Sequence, residues 1–180
     1  GGTGFLGKSF VKKVLEIGYH VVMIDRSIEK TEISEIQNLS KIPYFSNISE
    51  LENSLHNVNV DIVIHLATHF TAKHNSMEIP QLIESNVLFG TQIMEFMARR
   101  SIKKFINIGT YAQFMNQDDL TPQNLYSATK AAFSEIVAFY SSAYNLDTID
   151  LILYDTYGPG DIRPKFINHV FTSILNNQVL

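Results

Sequence analysis

Two hydrophobic periods take turns along this chain. Over 8–17 (KSFVKKVLEI), Phe10, Val11, Val14, Leu15 and Ile17 recur at three- and four-residue spacing, which predicts a helix. Gly18 follows as a left-handed stop. Residues 20–24 (HVVMI) form a short unbroken apolar run, the mark of a strand buried on both faces. A polar stretch comes next, with a weak helical pattern near 33–39, a short strand at 43–46 and a helix over 49–57 capped by Ser49. DIVIHLA at 61–67 reads as a strand, and 80–100 as a long amphipathic helix with Pro80 in its first turn. KFINIG at 104–109 is a strand. Residues 125–144 form a helix with Thr129, Ala132, Phe133, Ile136, Val137 and Tyr140 along one stripe, and TIDLILY at 148–154 is a strand. A last helix begins within 163–180. Repeated alternation of strand and helix predicts an α/β fold, a doubly wound parallel sheet with helices on both faces. In such a sheet a first strand runs directly into the turn that opens this chain at Gly1. The expectation is therefore a fragment truncated at both ends, without that strand.

Composition narrows the function classes. The 180 residues carry a formal net charge of -4, which argues against a generic nucleic-acid binder, since phosphate contacts need clustered Lys and Arg. No cysteine is present, so disulfides, zinc–cysteine sites and thiol nucleophiles are excluded. No apolar run approaches the roughly 20 residues of a membrane helix. A reducing, cytoplasmic setting and no membrane partner are expected.

Residues 1–7 are GGTGFLG, with Gly1, Gly4 and Gly7 three apart and a helix directly after. Bare backbone can approach a pyrophosphate where a side chain would block it, and the helix N-terminus supplies free N–H groups and a positive dipole end. An ordinary tight turn has the same look. Asp25, 18 residues past Gly7 at the end of the next strand, stands near where a carboxylate binds an adenosine ribose and makes the dinucleotide reading the stronger. Asp25 favours NAD, because its charge repels a 2′-phosphate. Arg26 and Ser27 favour NADP, because they could hold one. The choice stays open, with a lean to NADP.

Tyr126 and Lys130 stand four apart on a helix and so share a face. An ammonium beside a phenol lowers the phenol's pKa, and the phenol can then exchange a proton with an alcohol or ketone while hydride moves at a nicotinamide. Alone the pair would read as helix surface; behind a dinucleotide turn it reads as chemistry. Thr110 follows KFINIG, at a strand's carboxyl end where such sheets bind ligands, and its hydroxyl could orient the reacting oxygen. A local turn bond is its plainer role. Asn86 is an unexpected polar residue inside the long helix, either on its surface or binding backbone or water near the site. His65, His69 and His74 lack a carboxylate partner in a helical ligand motif. No metal is expected; His65 is read as a buried strand-end residue, and His69 and His74 as lining the pocket mouth.

GGTGFLG, DIVIHLAT, ESNVLFGTQIMEF and Thr110 with YSATK, in that order, resemble the extended short-chain dehydrogenases/reductases, the nucleotide-sugar epimerase/dehydratase group. The resemblance implies that Thr110, Tyr126 and Lys130 form a catalytic triad supported by Asn86, with Lys130 also binding the nicotinamide ribose. It implies a cofactor site made of Gly1, Thr3, Gly4, Phe5, Leu6, Gly7, Asp25, Arg26, Ser27, Leu66, Ala67, Thr68, Lys130 and Tyr154. Substrate contacts are expected from Thr110, Tyr111, Tyr126 and Asp155. YDTYGPGDIRPKF looks like the family's crossing into its substrate region, which divides the chain into a dinucleotide-binding domain at 1–157 and the start of a substrate-binding region at 158–180, most of that region being absent. Asn47 stands where the family usually has Asp near the adenine. IGTYAQF, LYSATK and LYDTYGPGDIRPK are similar to the CDP-abequose and CDP-paratose synthase subgroup, 4-ketoreductases of CDP-linked deoxysugars that usually use NADPH and serve surface polysaccharide synthesis. A 4-epimerase retaining NAD and a non-catalytic cofactor-binding protein are the competing functions. Family members are usually homodimers through the two long helices.

Overall fold

The structure, a computed structural model, describes residues 1–25 (Asp25 by its backbone only), 37–115, 120–161, 163 and 165–177. Helix α1 (Phe5–Glu16) leads to β1 (Val21–Asp25), β2 (Leu39–Pro43) and α2 (Ile48–Ser54). Strand β3 (Ile62–His65) is followed by a 3₁₀ turn (Ser76–Glu78), α3 (Ile79–Ile83), a π turn (Glu84–Leu88) and α4 (Phe89–Arg100). Then come β4 (Lys104–Thr110), a 3₁₀ turn (Tyr111–Gln113), α5 (Leu125–Tyr144), β5 (Asp147–Leu153) and α6 (Phe166–Leu175). All strand pairs are parallel: β1 with β2, and β3–β4–β5 in that order. This is the α/β pattern read from the sequence. Among the described residues β1 and β3 do not pair; their facing edges border a cavity of about 280 Å³ with Gly1 and Gly2 at its wall.

Period-two alternation places the core. Val22 and Ile24 pack toward a cluster that joins Phe45 and Leu51 to Phe89, Ile93, Phe96 and Met97 of α4 and Phe133 and Val137 of α5. Met23, between them in β1, is buried on the other face, where Gly2 and Val11 of α1 lie close to one another. Helices therefore cover both faces of this part of the sheet.

Two local expectations are corrected, and a third lies mostly outside the described residues. The strand expected at 43–46 ends at Pro43, because Tyr44 and Phe45 leave the sheet to pack on Phe89 at ring distances of 5.3 Å. The next helix is capped by Asn47, whose Oδ1 accepts the Glu50 N–H at 3.1 Å, and not by Ser49. The weak helix at 33–39 falls largely outside the described residues, and Leu39 begins β2. Gly18, at φ 91°, ends α1 as expected.

Candidate functional site

The glycine turn is packed against the sheet so closely that only glycine fits. A Cβ on Gly7 would sit 2.1 Å from the Gly1 carbonyl oxygen, and one on Gly1 would sit 2.2 Å from the Leu66 carbonyl carbon. Gly4 begins α1 without a side-chain cap, so among the described residues no side chain caps the first N–H groups of the helix. A cavity of about 250 Å³ opens beside them, its wall including Gly1, Thr3, Gly4, Ala67, Thr68 and Ser85. These residues fit a dinucleotide pyrophosphate: the turn is bare backbone held close against the sheet, and its donors are backbone N–H groups. Of the other expected cofactor residues, Leu66 adjoins Gly1, while Phe5 carries the Arg163 guanidinium over its ring at 4.4 Å. Leu6 belongs to the first turn of α1. Asp25 ends β1 at the carboxyl edge of the sheet; Arg26 and Ser27 lie outside the described residues.

Asn86 is the best-connected side chain of the site. The π turn carries it into full burial. Its Oδ1 accepts the His69 N–H at 2.7 Å and the Thr68 hydroxyl at 3.1 Å. Its Nδ2 donates to the His69 carbonyl at 3.0 Å and to Thr129 Oγ1 at 2.9 Å. Thr129 in turn donates to the Tyr126 carbonyl at 2.7 Å. Of the two roles left open for Asn86, the structure selects backbone binding next to Tyr126, and it excludes helix surface.

Tyr126 lies on the first turn of α5, which Asn124 caps with a reciprocal Ser127 box. Phe70 meets its ring edge-on at 4.9 Å. Burial pushes the phenol's pKa up, and a hydrogen bond from Thr68 opposes this. The Lys130 ammonium is buried toward the sheet: burial lowers its pKa to about 8, with Asp150 opposing. His65 also feels its charge.

Thr110 is the last residue of β4, as expected, but its hydroxyl accepts the Ala112 N–H at 3.4 Å, the plainer of its two roles. Gln113, fully buried, takes the Thr110 N–H on Oε1 at 2.8 Å. Sequence reasoning missed Gln113, although T-x-x-Q is a capping-box signal. Tyr111 and Tyr154 stack at 5.3 Å with their planes 4° apart, both exposed. Asp155 pairs with Lys165 at 3.2 Å. His65 is buried among Phe89, Phe105 and Phe133, and burial holds its pKa well below the ordinary value, so it is neutral. His69 Nε2 lies 4.0 Å from Glu78.

Comparison with known proteins follows the same lines. The family model described as NAD dependent epimerase/dehydratase family matches residues 1–180. CDP-abequose synthase of Yersinia pseudotuberculosis is 28% identical over 184 aligned positions, covering 100% of this chain and 62% of that protein. The dTDP-4-dehydro-6-deoxyglucose reductase of Escherichia coli is 26% identical, covering 97% of this chain and 62% of that protein. The UDP-glucuronic acid 4-epimerase of Bacillus cereus, solved in complex with NAD, superposes with a TM-score of 0.78 at 21% identity, over 98% of this chain and 62% of that one. This likeness shows the fold. The chain spans about three fifths of the length of each of these proteins. No helix among the described residues is long and apolar enough to cross a membrane.

Proposed function

Since the chain belongs to the NAD dependent epimerase/dehydratase family, we propose that it forms the cofactor-binding and proton-transferring part of a reductase acting on a nucleotide-linked 4-keto deoxysugar. One observation carries the reading. Thr68 walls the cavity beside the glycine turn and donates to Asn86, which reaches the Tyr126 carbonyl through Thr129, so the phosphate cradle and the turn bearing the phenol are tied together. Thr110, at the neighbouring strand end, belongs to the same carboxyl edge of the sheet.

A nicotinamide dinucleotide in this cradle supplies the hydride chemistry. The remaining work is the chain's own. Gly1, Gly4 and Gly7 admit the pyrophosphate to the α1 N–H groups. The Tyr126 phenol, kept protonated at neutral pH by burial, delivers its proton to the carbonyl oxygen as that oxygen gains charge. Lys130, mostly protonated near neutrality, places positive charge beneath the site and is the ribose-binding candidate. Thr110 orients the oxygen once its hydroxyl turns away from Ala112. Tyr111, Tyr154 and Asp155, exposed beyond the strand ends, are the substrate-side residues. The cofactor is NADPH or NADH, a choice that rests on Asp25 against Arg26 and Ser27.

The test uses the full reading frame, incubated with NADPH or NADH and a nucleotide-linked 4-keto-6-deoxyhexose. Stoichiometric consumption of the reduced cofactor supports the reductase. Retained NAD with interconversion of 4-epimeric hexoses replaces it with the epimerase, and neither activity removes both. Pairing of two copies through α4 and α5 is part of the proposal, supported by the exposed Leu88, Phe139 and Tyr144 near or on these helices. A monomer in sedimentation equilibrium would remove that part.

A further inference from the structure

We propose that Phe5 and Arg163 form a seat that registers the substrate-side residues Tyr154 and Asp155 against the phosphate-binding turn, with Arg163 a positioning residue for the nucleotide-linked sugar. The identity of that ligand rests on the reductase reading above; the seat itself rests on side-chain contacts.

The segment after β5 gathers around one guanidinium. Arg163 Nε donates to Asp161 Oδ1 at 2.6 Å and Nη2 to Asp161 Oδ2 at 2.7 Å, a two-pronged pair. Nη2 also donates to the Thr156 carbonyl at 3.1 Å and to the Thr156 hydroxyl oxygen at 3.2 Å. Lys165 Nζ joins the same carbonyl at 3.2 Å and Asp155 Oδ1 at 3.2 Å. Asn168, in the first turn of α6, donates to the Asp161 and Arg163 carbonyls at 3.1 and 2.9 Å. Strand end, loop and helix start are thereby tied into one piece, and Tyr154 and Asp155 stand where that piece joins β5.

The piece meets the phosphate turn at Phe5. A planar guanidinium donates along its edge and leaves its faces open, and here the Arg163 guanidinium lies over the Phe5 ring at 4.4 Å. The backbone runs along the same ring: a Cβ built on Gly158 would lie 3.6 Å from Phe5 Cζ. Phe5 is the first residue of α1, directly after Gly4. Its amide therefore belongs to the helix end that suits a phosphate, while its ring serves the segment on the substrate side. One residue refers both halves of the site to the same backbone. Asp161 offsets the Arg163 charge, so the fork and the flat face hold the seat, and net charge does not. A lysine side chain has the charge without the fork or the face, and a methionine side chain has only the length.

The experiment uses the full reading frame of wild type, Arg163→Met, Arg163→Lys, Phe5→Leu and Phe5→Tyr. It measures amide exchange over residues 154–161, affinity for the reduced dinucleotide by calorimetry, and KM for a nucleotide-linked 4-keto-6-deoxyhexose. Exchange should quicken about tenfold in Arg163→Met, Arg163→Lys and Phe5→Leu, and stay with the wild type in Phe5→Tyr, which keeps the ring face. Phe5→Leu combined with Arg163→Met should exchange no faster than either alone, because each removes the same contact. In both Arg163 variants the sugar KM should rise about tenfold while dinucleotide affinity holds within about twofold. A general loosening of the fold would move both together. Wild-type exchange in Arg163→Met overturns the proposal. So does a dinucleotide affinity that falls as far as the sugar KM rises, or a Phe5→Tyr protein that exchanges as fast as Phe5→Leu. Where Arg163→Met fails to fold, the two Phe5 variants carry the comparison. Failure of the reductase reading shows elsewhere: the wild type would then leave reduced cofactor unconsumed, while the exchange pattern, which needs no turnover, still decides the seat.

Discussion

Lys130 is held in place against its own solvation, and replacing it should reveal the cost. It is buried on α5, and burial brings its pKa from the ordinary 10.5 down to about 8. The folded protein therefore holds the Lys130 proton less tightly than the unfolded chain does. Stability from this group is present above 10.5 and is lost as pH falls through about 8. The gap corresponds to about 3 kcal/mol at neutral pH, set against the folded state. Lys130→Met keeps a long unbranched side chain and removes the charge. At pH 7 the variant should be more stable than the wild type by up to about 3 kcal/mol, a figure that already includes the opposing Asp150 attraction. The advantage should shrink steadily as pH rises from 8 toward 10.5.

The assay is urea unfolding of both proteins at a series of pH values, without cofactor. The difference between their unfolding free energies isolates this one group from others that titrate in the same range. Turnover by Lys130→Met should fall severely over the whole range. A variant less stable than the wild type at pH 7 would refute the reasoning. So would an advantage that persists undiminished at the alkaline end, because its origin would then be packing and not charge. A protein that gains stability and loses function on one substitution is the pattern expected of a site residue kept in an unfavourable environment.

Other outcomes follow from the same geometry. Gly7→Ala places a Cβ 2.1 Å from the Gly1 carbonyl oxygen, a backbone clash worth about 1–3 kcal/mol that must open the turn; dinucleotide affinity measured by calorimetry should fall about tenfold or more. Tyr126→Phe should retain dinucleotide binding and lose about 10²–10⁴-fold in turnover; activity within a few-fold of wild type would take Tyr126 out of the mechanism. Loss of water across C5 and C6 of a hexose needs a base and an acid beside the site Thr, whereas Thr110 is followed by Tyr111 and Ala112, neither a carboxylate, and Tyr111 is engaged in its stack with Tyr154. No 4-keto-6-deoxy product should form from a nucleotide-linked hexose, a point that mass spectrometry of the incubated sugar decides.

Much of the fold is legible where local chemistry and tertiary packing agree. Helix α5 spans the expected 125–144, because Asn124 supplies a capping box at one end and Asn145 takes the left-handed conformation at the other. The glycine turn was legible for a similar reason: spacing, turn chemistry and the following helix all demand the same backbone. Strand β2 was misplaced because its sequence, LSKIP, is weakly apolar, and pairing with β1 rather than its own propensity makes it a strand. The stronger apolar signal at Tyr44 and Phe45 belongs to the core cluster beside it. At the candidate site, the placement of Tyr126 and Lys130 on one helix and of Thr110 at a strand end was readable, but the direction of their side chains was not. A four-residue spacing puts two side chains on one face of a helix, and it cannot say that one of them turns toward the sheet, as Lys130 does.

Asn86 shows why that limit falls where it does. Inside a helix an asparagine is unfavourable, and buried without partners it would cost about 1–3 kcal/mol for each unmet group. From the sequence it is therefore an anomaly whose compensation lies elsewhere in the chain. Its partners come from 17, 18 and 43 residues away, and they are met only because the π turn carries the amide in between the loop after β3 and the start of α5. Once made, these bonds fix two segments that local structure alone would leave independent. The strand-end loop bearing Thr68 and the helix turn bearing Tyr126 become one rigid piece, referenced to the same amide. A proton donor that must meet a reacting oxygen within hydrogen-bond range gains from such a frame, because little reorganisation then remains for the reaction itself. The unfavourable residue is thus the one that sets the geometry, and its burial is the means by which it does so.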